Sequence, residues 1–215
     1  MSFDIFSHLT YDCHNTGLYG DPSDPYYSNN FFVDGAIQAY KNAGVPLNKI
    51  VVGLEFMARS WKNCPPGPNN DGQYQTCAAD NGSVFKWAPN GTWDETNSGN
   101  TGVFDYGDLA ANYVNKNGYT RYFNNIAKVP YLYNPTTKIF ISYDDTESLG
   151  YKTEYNKNNY LGGAMFWEFS SDCRTSPKYS CTGPKLLDKV AGDLSQATPP
   201  ADTVPPTAPQ RMQYK

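Results

Sequence analysis

The chain has 215 residues with 17 Lys and Arg against 21 Asp and Glu, a net charge of −4. Its basic residues are scattered, which excludes the concentrated positive surface of a nucleic-acid binder, and no apolar run approaches the roughly 20 residues a membrane-spanning helix needs. Hydrophobic residues make up 39% of the chain, enough for a core in one large or two small domains.

The first element in chain order is Phe3–Tyr11, apolar at Phe3, Ile5, Phe6 and Leu9, which predicts a buried strand ending at Tyr11-Asp12. A polar loop follows from His14 to about Asn30. Phe32, Ala36, Ile37 and Tyr40 recur at helical spacing before Gly44-Val45-Pro46, so Phe32–Ala43 is predicted as a helix. Lys49–Phe56 is the next predicted strand, and strand–helix–strand is the unit from which parallel sheets and barrels are built.

From Lys62 to about Asn100 the pattern dissolves into Gly, Pro, Asn and Ser with isolated aromatics, expected as loops and short antiparallel strands. Trp61 and Trp87 are expected to be rim aromatics there. Tyr106, Leu109, Ala110, Tyr113 and Val114 then return to helical spacing. Lys138–Tyr143 is a predicted strand, Thr146–Asn156 a helix that Asp145 is placed to cap, Leu161–Phe169 a strand, and Pro184–Leu194 a final helix. Ala197–Pro209 is a Pro/Ala/Thr-rich stretch of linker character.

Cys64 and Cys77 bracket one polar loop and Cys173 and Cys181 another, a pattern expected for two local disulfides and an oxidising compartment, with Cys13 left over. The alternative is five reduced cysteines behaving as small hydrophobes. Asn81-Gly-Ser and Asn90-Gly-Thr fit the N-glycosylation pattern. The first residues lack the basic-then-apolar layout of a signal peptide. A secreted protein is reconciled with that start if the chain is a fragment whose signal and N-terminal region lie upstream of Met1.

The most informative segment is LGGAMFWEFS, Leu161–Ser170. Two glycines open a short apolar strand that ends on Trp167 beside Glu168, so a flat aromatic and a carboxylate meet at a strand's C-terminal mouth. Barrel enzymes handle substrates there. A buried strand whose tryptophan fills a core is the plainer reading.

Taken in order, LTYD (Leu9–Asp12), KIVVGLEFMARSW (Lys49–Trp61), ISYDD (Ile141–Asp145) and LGGAMFWEF resemble the C-terminal part of a family 18 glycoside hydrolase, a chitinase. The resemblance implies an α/β fold: a partial (β/α)8 barrel holding about strands six to eight, with an α+β insertion domain. On that reading residues 1–61 carry strands six and seven, 62–140 the insertion, 141–195 strand eight with flanking helices, and 196–215 a linker. GYTRYFNNIAKVPYLYN is similar to the closing part of the insertion.

In this family a glutamic acid protonates the leaving oxygen while the substrate's own N-acetyl carbonyl serves as nucleophile. The resemblance implies catalytic roles for Tyr11, which would donate to the acetamido oxygen, and Asp12, beside the acid. It implies that Trp167 floors the cleaved sugar's subsite and that Arg59 contacts the chain on the leaving-group side. Glu168, Met57, Tyr143 and Asp144 complete the implied substrate-binding set. No cofactor and no metal are implied; His8 and His14 are too few and too isolated for a zinc site. The implied partner is chitin or its oligosaccharides, and the implied location extracellular.

Three positions depart from the family pattern: Glu55 stands at the usual proline, Met57 at the usual tyrosine and Ala58 at the usual glycine. The D-x-x-D-x-D-x-E signature that ends in the proton donor occurs nowhere in the chain. The expectation is therefore an inactive part of a chitinase that needs the N-terminal half of its barrel, from the same precursor or a separate chain. A non-catalytic glycan-binding relative, or a subunit that completes a split barrel, are the alternatives. The isolated barrel strands are expected to be poorly protected and the region Lys62–Lys138 to fold with little help.

Overall fold

The structure, a computed structural model, describes residues 14–77, 89–92 and 102–195. The predicted strand Phe3–Tyr11, Cys13, Trp87, the Asn81 sequon and the linker lie outside these. Helix α1 is Val33–Asn42, strand β1 Val51–Glu55 and strand β2 Met57–Trp61. After them come β3 (Val103–Asp105), a single helical turn α2 (Tyr106–Asp108) that continues as a π-helical turn Leu109–Tyr113, and the strands β4 (Thr120–Asn124), β5 (Val129–Asn134) and β6 (Ile139–Ser142). Helix α3 (Thr146–Asn158), strand β7 (Gly163–Trp167) and helix α4 (Leu186–Leu194) complete the order.

The strands form two sheets. β1 and β7 are a parallel pair whose register runs from Val51 opposite Gly163 to Glu55 opposite Trp167. The other five form an antiparallel sheet in the order β3-β2-β6-β5-β4. Strand β1 matches the expected strand Lys49–Phe56, and Met57–Trp61 forms a separate strand in the other sheet. The change comes at Phe56, fully buried and stacked on Phe166 at 5.2 Å. Its N–H donates to the Trp167 carbonyl and its own carbonyl accepts from Tyr106 N–H, so one residue serves both sheets. The chain leaves the parallel pair there, ahead of the expected boundary at Trp61, and the second expected boundary, between 140 and 141, falls within β6.

Gly162 and Gly163 show why β7 starts as it does. Gly162 N–H donates to Ile50 carbonyl, and a side-chain carbon at Gly162 would lie 2.5 Å from the Asn48 carbonyl oxygen. Gly163 has φ +137°, a region that side chains disfavour. Both serve close backbone packing and a strand bend.

Period-two alternation divides the antiparallel sheet into two faces. Ala58, Phe104, Leu132 and Ile141 enter a large core that also takes Val52 and Leu54 from β1, Val33 and Ile37 from α1, Leu149 from α3, and Leu186 and Val190 from α4. The antiparallel sheet therefore shares its main core with the parallel pair. On the opposite face Trp61, Tyr131, Tyr133 and Phe140 pack with the Cys64–Cys77 disulfide. Trp61 is 4% exposed and is a core residue, not a rim aromatic.

The helix expected at Tyr106–Val114 tightens and widens within two turns, its first turn being pinned by the Phe56 carbonyl. Helix α3 forms as predicted: the Asp145 side chain accepts from the N–H groups of Glu147 and Ser148, while Ser148 Oγ accepts from Asp145 N–H, a reciprocal cap. Its inner face is largely polar, with Ser148, Lys152, Thr153 and Asn156 buried. Lys152 Nζ sits 2.6 Å from Asp144 Oδ2, and Asp144 also accepts from Thr16 and Ser148 hydroxyls. The Cys173–Cys181 disulfide closes the loop after β7, where Asp172 accepts from Leu186 and Leu187 N–H and so caps α4.

Two predictions follow from this interior. Replacing Lys152 with Met should lower unfolding free energy by about 3–5 kcal/mol, because Asp144 is left charged and buried without its counter-ion; urea unfolding of the variant measures it. A loss no larger than that of a surface substitution would show that the pair is not desolvated.

His14 packs against the Tyr131 ring at 5.4 Å and against Tyr74 at 5.4 Å, and burial lowers its pKa from 6.5 to about 4, against the raising effect of Gln73 and Asp21. The folded state thus prefers neutral imidazole. That contribution is complete above the unfolded pKa, declines as pH falls below it, and is gone below about 4, where both states are protonated. Between pH 7 and pH 5 the loss should amount to about 2 kcal/mol. His14→Gln should flatten the stability profile across that window in urea titrations at successive pH values, and an undiminished slope would assign it to other groups.

Candidate functional site at the end of the parallel pair

Because β1 and β7 are parallel and in register, their C-terminal residues Glu55 and Trp167 emerge side by side. Trp167 is 53% exposed, and Phe169, two residues on, is 64% exposed. The Trp167–Glu168 peptide is cis. Glu168 is half-buried, and its carbonyl accepts from Ser171 N–H in the short turn that follows. This end of the pair presents a broad aromatic surface flanked by carboxylates.

Strand β2 leaves the same end. Met57 and Arg59 are two apart and share the sheet face that holds Trp61. Met57 is 5% exposed; Arg59 is 33% exposed, with Nε 3.7 Å from Glu55 Oε1, an ion pair longer than a hydrogen bond. The Glu55 carboxylate is buried and also accepts from the Asn15 side-chain amide. Asn15 is itself anchored: its N–H donates to Ser142 Oγ at 2.9 Å, and Ser142 lies opposite Arg59 in the β2–β6 register. Glu55 thus stands beside Trp167 in the parallel register, pairs with Arg59, and is tied by Asn15 to the loop after residue 13.

Two expected site residues are elsewhere. Tyr143 is 2% exposed, within the main core. Burial, with the nearby Asp145 charge, raises its phenol pKa far above the usual range. Asp144 is also 2% exposed and is committed to Lys152. Neither side chain reaches a surface that a ligand could touch, because the β6–α3 turn folds them under the sheet. Tyr11 and Asp12 lie outside the described residues. Both expected disulfides are formed, Cys64–Cys77 and Cys173–Cys181.

Asn15, Ser142 and Asp105 escaped the reading of the sequence. Asp105 faces Met57 across the β2–β3 ladder and accepts from Ser171 Oγ at 2.8 Å, so it ties β3 to the turn after Trp167. Burial raises its pKa, with Ser171 and the positive charge of Lys178 opposing. No spacing in VFDYGD distinguishes this carboxylate from an ordinary turn residue. Among the described residues no three His, Cys, Asp or Glu side chains are grouped to hold a metal ion, and no helix is long and apolar enough to cross a membrane.

The model of the glycosyl hydrolases family 18 matches residues 1–172. Chitinase A1 of Niallia circulans is 46% identical over 202 residues, which cover 91% of this chain and 26% of that protein. Chitinase B of Serratia marcescens is 30% identical over 209 residues, covering 80% of this chain and 41% of the relative. Among solved structures, chitinase ChiA74 from Bacillus thuringiensis superposes with a TM-score of 0.82 at 57% identity, over 90% of this chain and 30% of that one. An N-acetylglucosaminidase from Paenibacillus barengoltzii gives a TM-score of 0.64 at 34% identity, over 86% and 44%. The chain therefore spans a quarter to under half of these relatives' length. Its four ordered motifs, its parallel pair with an antiparallel sheet between the two strands in sequence, and the match to the family model agree: the chain belongs to glycosyl hydrolase family 18.

Proposed function

We propose that this chain is the C-terminal part of a chitinase barrel, and that the complete protein hydrolyses β-1,4-linked N-acetylglucosamine polymers with retention of configuration. β1 and β7 are its seventh and eighth strands, the segment 3–11 its sixth, and the antiparallel sheet its insertion domain. The observation that carries the reading is the half-exposed Trp167 ring, aligned in the parallel register with Glu55, which Arg59 pairs. A pyranose has one apolar face, which an exposed indole can cover, and the surrounding polar groups suit its hydroxyls.

In this assignment Trp167 floors the subsite of the sugar to be cleaved. Tyr11 donates to the acetamido oxygen and Asp12 stands beside the proton donor, so that the acetamido group is oriented for attack on its own anomeric carbon. Arg59, held by Glu55, contacts the chain on the leaving-group side, and Glu168 and Met57 border the same surface. The proton donor must come from residues outside these 215, since they contain no D-x-x-D-x-D-x-E sequence. General acid–base catalysis typically contributes about 10²–10⁴-fold, so the chain alone is expected to be inactive on chitin. The two loop-closing disulfides favour an extracellular location.

In the complete protein Trp167→Ala should weaken chitooligosaccharide binding by about 2 kcal/mol or more, as for a ring desolvated at the centre of an interface. Phe169→Ala, two residues on, should have a much smaller effect; calorimetric titration of both decides it, and equal near-neutral losses would remove Trp167 from the site. Retention predicts that the β-anomer is the first product seen by NMR. Early α-anomer, or equal turnover of glucose polymers that lack the acetamido group, would overturn the mechanism.

A further inference from the structure

We propose that Asn15 is a positioning residue for the leaving-group side of the site: through Glu55 it presets the Arg59 guanidinium for the sugar beyond the cleaved bond. This role rests on the proposed placing of Arg59 at that side. Glu55 stands where the family pattern has a proline, a residue with no charge to offer an arginine. The device therefore belongs to this chain and is no part of the family pattern.

Four residues from four segments close a circuit of contacts. Arg59 of β2 lies opposite Ser142 of β6, and the Ser142 hydroxyl accepts from Asn15 N–H at 2.9 Å. The Asn15 side-chain amide donates to Glu55 Oε2, and Glu55 Oε1 stands 3.7 Å from Arg59 Nε. Asn15, Glu55 and Ser142 are buried, whereas Arg59 keeps a third of its side-chain surface open. Within this circuit Arg59 is thus the member that a ligand can reach.

Asn15 is fixed from both sides. His14 Nε2 lies 3.2 Å from Gln73 Oε1, and the Thr16 hydroxyl donates to Asp144 Oδ2 at 2.8 Å while accepting from Lys152 Nζ at 2.9 Å. Three consecutive buried side chains are therefore bonded to distant segments, and the middle one meets a carboxylate. A buried carboxylate needs partners to remain charged, and a 3.7 Å separation from Arg59 is longer than a hydrogen bond and sets little direction by itself. With one carboxylate oxygen held by the amide, the other is left facing the guanidinium. An arginine beside a fixed counter-charge has less side-chain freedom to lose when a sugar arrives. Asparagine supplies the donor this needs; aspartate has the same shape but would set a second negative charge against the first.

The test uses the complete protein and two substrates: penta-N-acetylchitopentaose, which has sugars to place beyond the cleaved bond, and 4-nitrophenyl di-N-acetylchitobioside, whose aryl leaving group has no sugar hydroxyls. Asn15→Ala removes a buried hydrogen bond to a charged group and should lower kcat/KM on the pentamer about tenfold or more, chiefly through KM. The loss on the aryl glycoside should be about fivefold smaller or less, a selectivity that a general loss of folding would not give. In an Arg59→Ala background the same change should cost the pentamer less than about twofold, since the two residues act as one unit. Asn15→Asp, which keeps the N–H to Ser142, should show the selective loss at about pH 7 and regain most of it relative to the parent near about pH 5, where two facing carboxyl groups share a proton. Equal losses on both substrates, an undiminished effect in the Arg59→Ala background, or a defect of Asn15→Asp that does not change with pH would overturn the proposal. A selective loss in Arg59→Ala with none in Asn15→Ala would reject Asn15 and leave the role of Arg59 intact. Arg59→Ala that spares the pentamer would overturn that role, and the positioning role of Asn15 with it.

Discussion

The rest of the molecule depends on the parallel pairing of β1 with β7. The two strands are far apart in the chain, and everything between them has to return to the same edge. The junction is one residue, Phe56, which ends the parallel ladder by donating to Trp167 carbonyl and starts the antiparallel sheet by accepting from Tyr106 N–H. Its buried ring stacks on Phe166 of the partner strand. The hydrogen bonds set the register and the ring pair sets the spacing, so Glu55 and Trp167 emerge together. Shifting either strand by one residue would turn every side chain to the opposite face and would take Trp167 out of register with Glu55.

A second constraint comes from buried polar groups. Asp144 and Lys152 are withdrawn from water as a pair, and Thr16 and Ser148 satisfy the remaining lone pairs of the carboxylate. Such a pair is weak evidence for stability but strong for geometry, because only one arrangement satisfies all its members. It locks the start of α3 to β6 and to the loop after residue 13. Asn15, in that loop, reaches Ser142 and Glu55. The surface around Trp167 is thus supported through Glu55 by the same polar seam that anchors the helix.

The antiparallel sheet has a different arrangement on each side. One face contributes to the common core, and the other carries Trp61, Tyr131, Tyr133 and Phe140 under a disulfide-closed loop. In that loop Gly72 has φ +74°, and a side-chain carbon there would lie 2.3 Å from the Tyr133 ring. A loop with little core of its own is held by a covalent bridge, a glycine pressed on an aromatic ring, and the Tyr133 hydroxyl donating to Cys64 carbonyl. The enclosed His14 then stays neutral because burial withdraws its charged form from water.

Much of this was legible in the chain. Local chemistry determined the helices α1, α3 and α4, the Asp145 cap, the strand ending at Trp167, the pairing of neighbouring cysteines and the family, because capping, periodicity and short-range closure depend on residues close in sequence. The hairpin β4–β5 was not assigned, since TRYFN and VPYLYN mix aromatic and polar positions without clean alternation. The tertiary structure alone decided that Phe56 divides one apolar run between two sheets. It also buried Tyr143, Asp144 and Trp61, residues whose types suit a binding surface equally well. Whether a tyrosine, an aspartate or a tryptophan meets water depends on which distant segment packs over it, and no spacing within the chain encodes that.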